Sequence, residues 1–143
     1  MRLLRSPVVH ALALIPLVAA VYLYLAGRDD PSASRHYSQG LLLSQEAQWS
    51  AAISEFDAAI RLDPEMAQAY AGRGVALVRL ARFPEAQADL SRALQLDGQL
   101  RQAYAYRITT DMATGHLELA VTDLERFRTL PAAGEQWAPS LLD

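Results

Sequence analysis

A fixed repeat period of about 34 residues is the feature of this sequence that most restricts its fold. Similar residues recur one period apart in three sets: Trp49, Phe83 and Leu117; Ala52, Ala86 and Ala120; and Leu62, Leu96 and Leu130. A fixed period of this length indicates stacked helix–turn–helix units, because one such unit cannot bury its apolar faces alone. The period therefore predicts an all-α solenoid, an architecture that offers an extended surface to a binding partner.

The repeated units are predicted at 33–66, 67–100 and 101–134. Each unit has room for two helices of about 13 residues joined by a tight turn. Pro64 and Gly98 follow an aspartate near the ends of the first two units, where each of them ends a helix. The sequence thus predicts three helical pairs, of which the third departs most from the pattern.

A C-terminal tail follows the repeats. Residues 34–131 are predicted to form the array and residues 132–143 the tail. The terminal unit of a solenoid needs its apolar end covered. Trp137 and Leu141 are expected to provide that cover, although the same segment could instead be a partner-binding peptide.

The units resemble the tetratricopeptide repeat (TPR) family, which has defined small, large and proline positions. The matching residues are Gly40, Ala52, Phe56, Ala59 and Pro64 in the first unit, Tyr70, Gly74, Ala86, Leu90 and Ala93 in the second, and Tyr104, Ala120 and Leu124 in the third. The third unit departs from the pattern at Ile108 and Phe127, and Gly98 replaces a proline. The resemblance implies a short right-handed solenoid of about three units that binds proteins.

The same resemblance implies a concave groove lined by the first helix of each unit. The lining residues that it selects are Tyr37, Leu41, Gln45, Gln68, Val75, Arg79, Gln102, Tyr106 and Thr109. Versions of the family that clamp a peptide carboxylate use Lys and Asn, and this sequence contains neither. We therefore expect the groove to hold a neutral peptide segment, although ordinary packing explains its apolar residues about equally well.

The N-terminal segment predicts a membrane anchor over residues 1–27. The stretch 8–25 is apolar and uncharged, and it nearly matches a hydrocarbon core of about 30 Å. Arg2 and Arg5 place the N-terminus in the cytoplasm by the positive-inside rule. The predicted localisation is a bacterial inner membrane crossed once, with the repeats in the periplasm beyond a linker at 28–33. A cleaved signal peptide is the alternative, but no small-x-small site follows the stretch.

Signs of catalysis are absent from the sequence. Cysteine does not occur, and His10, His36 and His116 have no second metal-type ligand at i+3 or i+4, so no metal or cofactor is expected. No serine lies in a nucleophile-elbow pattern. Carboxylates such as Asp89 are interpreted as exposed helical charge beside arginines. The net charge of −3 and the dispersed arginines also disfavour nucleic-acid binding. The chain is predicted not to be an enzyme.

Together these features predict a membrane-anchored scaffold that assists the assembly or stability of a membrane-associated protein complex. Its partner is expected to be a peptide segment or a subunit of that complex. Two alternatives remain open from sequence. One is a small accessory subunit fixed within a larger membrane complex, and the other is a secreted periplasmic adaptor released by signal cleavage.

Overall fold

The computed structural model describes residues 31–131, which form six α-helices. In chain order they are α1 (Pro31–Gln45), α2 (Trp49–Leu62), α3 (Ala67–Arg79), α4 (Phe83–Leu96), α5 (Arg101–Thr114) and α6 (Leu117–Thr129). Each helix packs against the next one along the chain, so that three helical pairs stack in order. The prediction of an all-α array with about three units is confirmed.

The turns inside the three units share one backbone geometry. Ala47, Ala81 and Gly115 lie one repeat period apart and have positive φ angles of 57°, 57° and 83°. This left-handed conformation reverses the chain within a few residues, and only glycine adopts it without a Cβ penalty. Between the units, the carboxylates of Asp63 and Asp97 accept the N–H of the residue two positions later, at 2.9 Å in both cases. The turns therefore recur with the same repeat period as the helices.

The first helices of the units form the inner layer of the solenoid. Helix α1 contacts α3 and α3 contacts α5, whereas the second helices α2, α4 and α6 make no contacts with one another. Helices that approach each other more closely lie on the concave side of a curved stack. The concave surface between residues 31 and 131 is consequently built from α1, α3 and α5.

Phe56 is the largest fully buried apolar side chain of the described core. It lies between two glycines: a Cβ atom on Gly40 would be 2.6 Å from its ring, and a Cβ atom on Gly72 would be 2.7 Å from it. Both distances are too short for real atoms, so the ring occupies the space that a side chain would need. The ring of Phe56 therefore joins the first unit to the second.

Two arginine–aspartate clusters bind neighbouring units together, and they too recur one period apart. Arg73 of α3 donates two hydrogen bonds of 2.7 Å to Asp89 of α4, and a third to Asp57 of α2. Arg107 of α5 donates two hydrogen bonds of 2.6 Å to Asp123 of α6 and one to a serine of α4. The interpretation of Asp89 as exposed charge is wrong, because its residue is 7% exposed and fully paired.

The predicted fold class and localisation both require a membrane-spanning helix, and both are corrected here. None of the helices α1–α6 is long and apolar enough to cross a membrane. The longest, α1, has 15 residues, whereas a span needs about 20 predominantly apolar ones. The predicted anchor at 1–27, with its span at 8–25, and the tail at 132–143 lie outside the described residues. The prediction of a single-pass inner-membrane protein with periplasmic repeats is dropped.

Candidate protein-binding groove

The inner helices bring all the predicted groove residues onto one layer of the solenoid, but they differ in accessibility. Five of them are exposed: Gln45, Gln68, Arg79, Gln102 and Thr109. Four are partly buried: Tyr37, Leu41, Val75 and Tyr106. Only the exposed set presents enough surface for direct contact with a partner. The sequence prediction therefore combines contact residues with residues that support the groove from within.

Arg79, the last residue of α3, contacts Tyr106 of α5 on this surface. The Arg79 guanidinium lies 6.0 Å from the centre of the Tyr106 ring and 5.7 Å from that of Trp49. Its Nη2 atom donates a hydrogen bond of 3.4 Å to the Tyr106 hydroxyl. A cation held between two ring faces is attracted to both, which restricts the rotamers of the arginine. Sequence reasoning missed the contribution of Trp49, because Trp49 begins the outer helix α2.

Tyr37 supports the first unit more than it faces a partner. Its ring centre lies 6.0 Å from that of Phe56, and burial raises the pKa of its phenol above the ordinary value. A tyrosine in this position contributes packing area to the core. Removing it would weaken the fold as well as the groove.

Met112 adds an exposed apolar side chain to this surface, and it is not among the nine predicted groove residues. It lies on α5 one turn after Thr109 and is 62% exposed. The Thr109 hydroxyl donates to the carbonyl oxygen of Ala105 at 2.9 Å, so its proton is used within the helix. The flexible, polarizable side chain of methionine adapts to differently shaped partners. The exposed groove thus offers four amide or guanidinium donors, contributed by Gln45, Gln68, Arg79 and Gln102, beside an exposed apolar side chain.

A polar cavity of about 310 Å³ lies between α4, α5 and α6. Its lining residues are Gln87, Ser91, Arg107, Asp111, Leu119, Thr122 and Asp123. Asp111 is 1% exposed and accepts a hydrogen bond of 2.6 Å from Gln87. Burial, and then the nearby charge of Asp123, raise the pKa of Asp111 above the ordinary value, while Arg107 and His116 act in the opposite direction. Gln87 pairs with Asp111, and Arg107 pairs with Asp123 and Ser91, so most polar groups of this cavity are satisfied within it.

The raised pKa of Asp111 predicts a pH-dependent contribution to stability. A carboxyl group whose pKa is higher in the folded state stabilises the fold below its unfolded pKa, and that contribution is lost as the pH rises through the folded pKa. Replacing Asp111 with Asn keeps the acceptor for Gln87 and removes the titration. The stability of Asp111→Asn relative to the parent chain is therefore expected to increase from acid to neutral pH. Urea unfolding followed by circular dichroism measures this difference, and a difference that is constant or falls with pH would contradict the assignment.

Comparison with solved structures identifies the architecture. The TPR2B domain of yeast Sti1, from a complex with pHsp70, has a TM-score of 0.68 and 29% sequence identity, over 70% of this chain and 80% of that one. The chain has the TPR fold. The second TPR domain of Spaghetti (RPAP3), bound to the HSP90 peptide SRMEEVD, has a TM-score of 0.71 and 27% identity over 74% of this chain and 98% of its own. The TPR domain of Arabidopsis OM64, with a TM-score of 0.68 and 24% identity, covers 70% of this chain and 83% of its own and is similar in fold.

The sequence itself matches no family model and no curated protein. The similarity thus lies in the arrangement of the helices and in the repeat positions that form it. TPR folds generally act as non-catalytic interaction modules, and two of the similar structures contain a chaperone peptide or a complex with one. These comparisons support a protein–protein interaction scaffold.

Proposed function

We propose that the concave face of α1, α3 and α5 binds a largely apolar peptide segment of a partner protein, and that the chain thereby assists the assembly or stability of a protein complex without catalysis. The observation that supports this most directly is the Arg79–Tyr106–Trp49 cluster. It places a restrained hydrogen-bond donor among aromatic rings at the C-terminal end of α3, the second of the three inner helices. Such a donor binds a main-chain carbonyl of an extended or helical segment, while Met112 and the rings contact its apolar side chains.

The charge of the groove argues against the kind of peptide seen in the similar structures. The peptide bound by the second TPR domain of Spaghetti, SRMEEVD, has three acidic side chains. The predicted lining of this groove contains a single formal charge, that of Arg79, and the sequence has no Lys or Asn. Each desolvated carboxylate needs a charged or hydrogen-bonding partner. We therefore infer that this groove selects a segment with few carboxylates.

A pair of arginine variants tests the groove. Arg79→Ala is expected to weaken partner binding about tenfold, because an arginine held by aromatic rings is a typical interface hot spot. Arg92→Ala is the matched control, since Arg92 on the outer helix α4 also lies 6.0 Å from a tyrosine ring, that of Tyr70. Isothermal titration with the isolated partner segment gives both affinities. Equal loss in the two variants, or none in either, would contradict a concave binding site.

Site-specific photo-crosslinking finds that partner segment. A crosslinking residue at Gln68 or Gln102, both exposed on the inner helices, is expected to capture it, and Arg79→Ala should reduce the yield. The same residue at Ala88, exposed on the outer helix α4, should not capture it. Capture from Ala88 but not from the inner positions would place the interface on the convex side. Tyr37 is unsuitable for this test because its ring packs on Phe56.

A further inference from the structure

A buried position of the repeat changes from leucine to aspartate in the last unit. Leu43 of α1 and Leu77 of α3 occupy the position that Asp111 occupies in α5. Leu77 is 3% exposed and Asp111 is 1% exposed, so a carboxyl group is enclosed where the preceding unit encloses an apolar side chain. The hydrogen-bond partner of Asp111 changes in the same way, because Ile53 of α2 is replaced by Gln87 of α4. Both replacements line the polar cavity of about 310 Å³ between α4, α5 and α6.

The charge of Asp111 is only partly balanced by the residues around it. Arg107 is the one cation among the described residues that line the cavity, and it donates two hydrogen bonds of 2.6 Å to Asp123. The Nδ1 atom of His116 lies 3.7 Å from Asp111, but that side chain is half exposed and is charged only when protonated. Burial, and then the charge of Asp123, raise the pKa of Asp111. The ionised form of Asp111 therefore has a cost in free energy that a further cation would remove.

The first interface between units also places two carboxylates around one arginine, but it leaves one of them in contact with water. The side chain of Asp57, which pairs with Arg73, is 38% exposed, and its charge is solvated. Asp111 has no comparable exposure. An enclosed carboxylate with an altered pKa in a cavity is typical of functional positions, because packing alone gains nothing from it.

The cavity has the size and the opening of a small-ligand site. Its volume lies near the lower end of the range of ligand pockets, roughly 300–1,000 Å³. Leu119, which is 54% exposed, and the exposed Thr122 both line it, so it opens to the solvent. Leu119 takes the place of Glu85 in the preceding unit. An apolar side chain thus borders the opening, while the carboxyl group of Asp111 lies inside.

We propose that this cavity binds an alkylammonium group, with the ammonium beside Asp111 and the alkyl chain against Leu119. The ammonium supplies the missing positive charge and donates hydrogen bonds to the carboxylate, and the methylene groups cover the exposed leucine. A metal ion fits less well, because Asp123 is already engaged by Arg107 and a hard cation needs about six oxygen ligands. An anion would meet the two carboxylates of the lining. The source of the group is either a free amine or a lysine side chain of a partner protein.

Titration of the full chain with n-butylammonium chloride, followed by heteronuclear NMR, tests the cavity. Saturable shifts of the amide signals of the lining residues are expected, with the millimolar dissociation constant of a ligand of so few atoms. n-Butanol has the same alkyl chain without the charge, and it should leave these signals in place at equal concentration. Sodium chloride at matched ionic strength controls for a general effect of salt.

Variants of Asp111 assign the binding to its carboxylate. Asp111→Asn keeps the acceptor for Gln87 and removes the charge, and it is expected to weaken binding of n-butylammonium about tenfold. Asp111→Leu introduces the residue found in the two preceding units and should abolish binding. The matched control is Glu118→Gln, which removes one exposed carboxylate from the neighbouring helix α6 and should leave the affinity unchanged. Circular dichroism of each variant shows whether the helices persist.

Nα-acetyl-lysine methylamide separates the two sources of the ammonium group. Binding at least as tight as that of n-butylammonium assigns the cavity to a lysine side chain of a partner, and binding of n-butylammonium alone assigns it to a free amine. Both results support the site. The proposal is overturned if neither compound shifts the lining signals, if n-butanol shifts them equally, or if folded Asp111→Asn binds as tightly as the parent. Equal loss in Glu118→Gln would also overturn it, because binding would then follow overall charge. None of these measurements depends on whether the concave groove binds a partner.

Discussion

Replacing Arg73 with Ala is expected to lower the free energy of unfolding by about 3–5 kcal/mol, because it leaves the buried carboxylate of Asp89 without its cation. The side chain of Asp89 is 10% exposed, and Arg73 supplies both of its strongest hydrogen bonds. Asp57 loses its partner at the same time. Since these groups belong to α2, α3 and α4, the loss weakens the stacking of units as well as the fold of one unit.

Chemical denaturation of the full chain measures this effect, with the exposed pair Arg82–Glu85 as the control. Their side chains are 47% and 57% exposed, and they form an ion pair between the residue before α4 and its first turn. Arg82→Ala is expected to change stability by only a small fraction of the effect of Arg73→Ala, because water solvates the remaining charge. Equal effects of the two variants would show that the Arg73 cluster contributes no more than a surface pair.

The sequence contains the signal for these clusters. Arg73 and Arg107 lie one repeat period apart, as do Asp89 and Asp123, so the charged residues follow the same period as the apolar ones. Helical spacing alone could not reveal the contacts, because each cluster joins three different helices. The interpretation of Asp89 as exposed failed for that reason: Glu85 and Arg92, about one turn before and after it along α4, are charged, but its partner comes from α3.

The helices and units could be predicted because their determinants are local. Small residues at repeat positions, turn residues at regular intervals and apolar spacing all act within a few residues of one another. The accessibility of the groove could not be predicted in the same way. Tyr37 and Arg79 are both assigned to the groove by position, yet the aromatic ring of one packs on Phe56 and the guanidinium of the other is exposed. Whether a groove residue is buried or exposed therefore depends on residues of other helices, as Tyr37 depends on Phe56 of α2.

Replacing Phe56 with Ala is expected to lower the free energy of unfolding by about 3–5 kcal/mol, because Gly40 and Gly72 provide no side chains to fill the resulting cavity. Denaturation midpoints of the parent and the variant measure it. Phe127→Ala, at a partly buried position in the terminal unit, is the comparison expected to cost less. A smaller loss for Phe56→Ala than for Phe127→Ala would mean that the interface between the first and second units is not packed better than the surroundings of Phe127 in the terminal unit.

The second interface between units shows how the first could be repacked. Leu90 takes the place of Phe56 there, and Tyr106, partly buried against the core cluster that contains Leu90, takes the place of Gly72. A smaller residue on one helix is thus matched by a larger one on the next. Gly72→Ala alone is expected to cost about 1–3 kcal/mol through overpacking, and adding Phe56→Leu should recover part of that loss. Additive losses in this double-mutant cycle would show that the two positions do not share one packing volume.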